Sequence, residues 1–164
     1  MRLLFLLMTF GGSLAQSNLV PMLSVAGVTP DVPLILTVLL ALRRGPETGC
    51  LAGFVVGILQ DVAGGGLVGV QAVTKALAGF AVGMLVSRLW VSNPLVQVPG
   101  LVLLTIAEGV GRFLLLQLFH YPASLGDLMA HVILPQAFYN GFIGAACMLA
   151  TSAAEALHRG RSWS

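Results

Sequence analysis

Long apolar stretches separated by short polar breaks run the length of this chain. The first run, Leu3 to about Val20, is interrupted by Gly11-Gly12-Ser13 and follows Arg2. It resembles a signal peptide, with Ser13-Leu14-Ala15 as a cleavage site, but is taken as a retained helix because apolar character resumes at Leu19. The second run, Val32 to Leu42, is short and must borrow Val25 to Asp31 to cross a bilayer. Pro30 suits its first turn, and Asp31 complements the positive end of the helix dipole. Arg43-Arg44-Gly45-Pro46-Glu47 then reads as a tight polar turn. A third helix fades into Ala63-Gly64-Gly65-Gly66, and a fourth ends at Ser92-Asn93-Pro94. The fifth stops at His120-Tyr121-Pro122, and Pro135 should kink the sixth. The pattern predicts helices at about 3–20, 25–42, 48–62, 70–90, 95–119 and 128–157.

Composition turns these helices into membrane spans. Apolar residues make up 57% of the chain and charged residues 9%, and the mean hydropathy is +0.97. A soluble domain carries roughly 25% charged residues, so a 164-residue globule with 8 basic and 6 acidic side chains lacks the polar surface to dissolve. At about 20 residues per span, the length accommodates six spans and no soluble domain. The fold class expected is an all-α integral membrane protein, a compact bundle of six transmembrane helices forming a single transmembrane domain over residues 1–164.

The arginines set the orientation. Arg2, Arg43 with Arg44, Arg88, and Arg159 with Arg161 fall at alternate ends of the six helices, as expected when basic residues are retained on the cytoplasmic side. Dropping the short second helix destroys this alternation. The expected topology is multi-pass, with both termini cytoplasmic. The net charge of +2 is too small to suggest nucleic acid.

Polar residues inside the spans are the candidate site. Asp61, Lys75, Glu108 and Arg112 are expensive at membrane depth and should face protein or water with a partner. Glu108 and Arg112 share a helix face, as do Gln136 and Asn140 on the next helix. Gly49, Gly53, Gly57 and Asp61 form one stripe, and Lys75, Gly79, Gly83 and Ser87 form another. Small residues at this spacing let helix backbones approach closely where lipid supplies no hydrophobic drive. Counted from the inner surface, Asp61 and Lys75 both reach roughly 20 Å up. They are therefore expected to pair across the hairpin, with Glu108 the competing partner for Lys75. The pair is either a lock within the bundle or a contact for a ligand or partner helix. Gly141, Gly144 and Ala145 are the candidate surface for a partner's helix.

Enzymatic chemistry has no foothold. The chain contains no His-Glu-x-x-His, Gly-x-Ser-x-Gly or phosphate-cradling Gly-x-x-x-x-Gly-Lys. Cys50 and Cys147 lie far apart in apolar segments and read as buried thiols. His120, His131 and His158 read as interfacial or loop residues. No catalytic residue, metal or cofactor is expected.

Pro30-Asp31 opening a short helix, Arg43-Arg44-Gly45, and Gly49-x-x-x-Gly53-x-x-x-Gly57-Ile58-Leu59-Gln60-Asp61 resemble the rod shape-determining MreD family. The segment through Leu67-x-Gly69 and Ala76-Leu77-Ala78-Gly79-Phe80 continues the likeness, which is best over residues 30–90. The resemblance implies a non-enzymatic scaffold subunit of the lateral wall-building machinery. Its implied partners are MreC, then RodA, its partner transpeptidase and MreB, together with membrane lipid; self-association is left open. It also implies a fold similar to the S components of energy-coupling-factor vitamin transporters, and so a rival function in which a small molecule is enclosed near the outer face. Such a cavity should be lined by aromatic and hydrogen-bonding side chains. The only tryptophans, Trp90 and Trp163, are predicted cytoplasmic, which favours the scaffold.

Overall fold

The structure, a computed structural model, describes residue 24 and residues 27–65, 67–89, 94–120, 122 and 124–161. The first apolar run, at 3–20, lies outside the described residues, as do Trp90 and Trp163. What is described is helical: α1 (Val32–Arg44), α2 (Pro46–Gly64), α3 (Val70–Leu89), α4 (Pro94–Leu118), α5 (Leu125–Leu128) and α6 (Leu134–Arg161). A π-helical turn, Met129–Ile133, joins α5 to α6. Its cause is local. Pro135 has no N–H to donate, so the ladder ahead of it widens, and the Leu134 N–H reaches back five residues to the Met129 carbonyl.

Among the described residues, α1 is short yet touches α2, α3, α4 and α6. α1 begins at Val32, not near residue 25, because the Asp31 side chain caps it and Pro33 occupies its first turn. Gly27, at φ 81°, turns the chain ahead of it. At 13 residues, α1 is about 20 Å long, short of the ~30 Å hydrocarbon thickness. Leu34, Ile35, Val38, Leu40 and Ala41 are all buried, so the run that looks weakest as a span is walled by its neighbours. Ile35 and Val38 meet Leu101 of α4 in the apolar core.

The turn after α1 is tighter than the polar pattern implies. A single residue, Gly45 at φ 86°, separates the two helices, and α2 starts at Pro46 instead of Thr48. Proline is pre-set for a first helical position, and Glu47 suits the first turn beside it.

Among the described residues, α2 and α3 make the closest helix pair. Gly53 lies against the Lys75 carbonyl, Gly57 against Ala72, and Gly49 against Gly79, while Gly83 lies against Pro46. At each of these positions a Cβ would overlap backbone of the facing helix. α4 packs on α6, with Gly141 against Val102 and Gly144 against Leu101, and Gly109 of α4 meets Ile133 of the π-helical turn.

By length and apolar character, one described helix passes as a membrane span, Val96–Leu118; Val70–Val86 is a shorter apolar helix. Outward faces throughout carry large apolar side chains, including Phe54, Leu77, Leu103, Phe138 and Phe142.

Candidate functional site

The polar residues that apolar helices can least afford gather at one end of the bundle. Lys75 of α3 is completely buried, and its ammonium meets three acceptors. Its Nζ lies 2.7 Å from Asp31 Oδ2 and 3.3 Å from Glu108 Oε1, and it donates to Gln71 Oε1 at 2.7 Å. An ammonium has three protons, and all three are used. Glu108 Oε1 also accepts from Thr74 Oγ1 at 2.9 Å. Asp31 Oδ1 accepts from the Leu34 N–H at 3.0 Å, capping α1. Three helices are thus tied through one lysine.

α6 joins through amides. Asn140 Oδ1 accepts the Asp31 N–H at 2.8 Å, and its Nδ2 donates to Thr105 Oγ1 at 3.3 Å. Gln136 Nε2 donates to the Thr29 carbonyl at 3.0 Å. These groups are buried, where an unmet donor or acceptor costs about 1–3 kcal/mol. Three threonines also turn their hydroxyls back to their own helices, Thr74 sharing its proton between that bond and Glu108. Thr37 donates to Pro33, Thr74 to Val70 and Thr105 to Leu101.

The expected Asp61–Lys75 pair is not made. Asp61 accepts backbone N–H groups from Gly69 at 2.7 Å, Gln71 at 3.1 Å and Ala72 at 3.3 Å. It caps the start of α3 from the end of α2 and closes the glycine-rich connection between them. Counting rise from the inner surface treats both side chains as points, and their lengths differ. The short carboxylate stays at the helix end, where unpaired N–H groups point at it. The long lysine reaches across α3 to a different helix.

Asp31, expected from the sequence to complement the dipole of α1, caps that helix and also serves as the nearest counter-ion of Lys75. Its signal was readable: an acid at the mouth of a helix too short to span must lie beside whatever walls that helix. Arg112 follows Glu108 by one turn on α4; it is half-buried and forms no ion pair with a described residue. Gln60 Nε2 makes a long 3.5 Å approach to Asp31 Oδ1. Among the described residues, its Oε1 is the buried side-chain acceptor left without a hydrogen bond.

Gly141, Gly144 and Ala145 need a correction as a surface for a partner. Gly141 and Gly144 are buried against Val102 and Leu101 of the chain's own α4, and Ala145 is half-buried beside them. The faces of α6 that stand free carry Phe138 and Phe142 instead.

The arrangement holds buried charges in place across three helices. Among the described residues, no group of three His, Cys, Asp or Glu side chains could hold a metal ion. Cys50 and Cys147 are free thiols, each half-buried.

Comparison with known proteins agrees with the residues that carry the likeness. No curated protein and no solved structure matches the chain. The family model for rod shape-determining protein MreD matches residues 1–151, which takes in α1 to α4 and the part of α6 that supplies Gln136 and Asn140. The chain belongs to the MreD family of rod shape-determining membrane proteins.

Proposed function

We propose that this protein is a non-enzymatic scaffold of the bacterial wall-elongation complex, a multi-pass inner-membrane bundle that binds MreC and helps position peptidoglycan synthesis. The MreD family is associated with the MreB and MreC shape-determining system. RodA and its partner transpeptidase are the enzymes such a scaffold would serve. In this reading six helices cross the membrane, both termini are cytoplasmic, and the buried polar centre sits in the outer half.

The observation that carries the proposal is the closure of that centre. A substrate-binding subunit keeps hydrogen-bonding groups waiting for its ligand. Here Lys75 spends its three protons on Asp31, Glu108 and Gln71, and Asp61 spends its oxygens on the backbone. Charges so fully met by the chain's own groups serve to hold helices in register, and a rigid bundle is what a scaffold needs. The rival reading, a substrate-binding S component of an energy-coupling-factor transporter, would need this centre to open.

Affinity purification of the full chain from native membranes tests the two against each other. Recovery of MreC is the expected result. Recovery of a transporter's energising subunits without MreC would overturn the scaffold reading.

A further inference from the structure

Beside the apolar core, α1, α3 and α4 enclose an apolar groove of about 390 Å³. Val38, Leu42, Val82, Leu101 and Leu104 are among the side chains that line it. Val38 and Leu101 are core residues with 3% and 2% exposure, whereas rim residues such as Leu103 stand 68% exposed. The groove is therefore built into the fold and open at its edge.

Its length and its ends identify an occupant. Along α4 it extends from Val96 to Ala107, about 16 Å at 1.5 Å per residue. That is half of a ~30 Å hydrocarbon core, the depth of one leaflet. A partner's transmembrane helix would need the whole thickness, and this groove stops at Ala107, beside the ion-paired Glu108. At the other end, Leu42 is followed by Arg43 and Arg44, both exposed on the last turn of α1. Arg88 stands two positions beyond Val86 on α3, so a third basic residue belongs to the same end. Arginine recognises phosphate oxygens with a planar fork of N–H donors.

We propose that the groove binds one acyl chain of an anionic phospholipid, with the lipid phosphate held by Arg43 and Arg44. The apolar wall selects a hydrocarbon chain, and the arginine mouth selects a headgroup of net negative charge. The inference rests on the membrane residence of the family and is independent of which protein the scaffold binds.

Gly100 offers a direct probe. It lines the groove, and a Cβ added there would meet nothing within 4 Å, so a larger side chain enters the groove without displacing a neighbour at its root. The full chain in detergent is offered phosphatidylglycerol or phosphatidylcholine, and retained lipid is counted by native mass spectrometry. Preferential retention of phosphatidylglycerol is expected. Gly100→Phe should lower retention of both lipids by about tenfold, reflecting loss of the apolar seat, while Leu114→Phe on an exposed face should not. Arg43→Gln and Arg44→Gln should each cut the preference for phosphatidylglycerol by about fivefold, lowering phosphatidylcholine retention much less because its choline already offsets the phosphate charge.

Equal retention of the two lipids by the unaltered chain would overturn the proposal, and so would full retention by Gly100→Phe. A Gly100→Phe chain that keeps its lipid but no longer brings down MreC would assign the groove to a protein partner instead. If that variant does not purify as a single species, the arginine variants decide alone. An undiminished preference in the double Arg43→Gln/Arg44→Gln chain rules the site out.

Discussion

Lys75 is the residue on which the buried charges depend. It neutralises one carboxylate fully and shares itself with a second, at 2.7 Å and 3.3 Å. Replacing it by Met leaves Asp31 and Glu108 buried and unpaired, and removing one partner of a buried ion pair costs about 3–5 kcal/mol. Lys75→Met should therefore lower the thermal midpoint in detergent sharply. The triple variant Asp31→Asn/Lys75→Met/Glu108→Gln should regain much of that loss, because no charge then remains to be compensated. A triple variant no more stable than Lys75→Met would show that the ion pairs are incidental. Asp61 belongs to a separate account, and coupling between Asp61→Asn and Lys75→Met should be smaller than that between Asp31→Asn and Lys75→Met. Asp61, Lys75 and Glu108 were legible from sequence as buried charges because hydrocarbon makes each of them conspicuous, whereas Asp31 read only as a complement to the helix dipole. Their pairing was not, since it depends on side-chain reach and on which helices neighbour one another. Helical spacing along one segment carries neither.

At the scale of elements, glycine has two different meanings in this chain. Gly53 sits under the backbone of α3, whereas Gly100 faces open space. Gly53→Ala should destabilise the protein, since overpacking a close helix contact costs about 1–3 kcal/mol. Gly100→Ala should stabilise it by up to about 1 kcal/mol through helix propensity alone. Thermal unfolding of the two single variants in one detergent checks the contrast, and losses of equal size would mean that packing at the α2–α3 contact is not tight. The four-residue period of Gly49, Gly53 and Gly57 could be read without a structure because a helix places such residues on one face. The small residues of α6 look identical by the same rule, yet Gly141 and Gly144 meet α4 inside the chain. Spacing shows that a face is smooth and says nothing about whose helix covers it. The starts of α1 and α2 differ from the apolar pattern for a related reason. Asp31 and Pro46 each mark a boundary through local backbone chemistry, and an apolar average blurs such marks by several residues.

For the whole molecule, orientation is the first property to measure. Reporter fusions after Arg44, Arg88 and Arg161 should report cytoplasmic, and fusions near Gly27, Gly65 and Ala123 should report external, if basic residues stay inside. A cytoplasmic signal at Ala123 would break the six-span arrangement. The central position of α1 also has a consequence for the order of synthesis. Asp31 leaves the ribosome well before Lys75, its counter-ion, and longer still before Asn140, which lies 109 positions along the chain and accepts its backbone N–H. A 13-residue helix capped by a carboxylate has little reason to enter lipid by itself, because an unpaired charge there costs a few kcal/mol or more. Its stable insertion must wait for the helices that wall it. Nascent chains stalled before Lys75 has left the ribosome should leave position 31 open to a water-soluble label placed there as cysteine, and chains stalled after Asn140 has left it should protect that position. The innermost helix of the finished protein is then the last to settle, although it is among the first to be made.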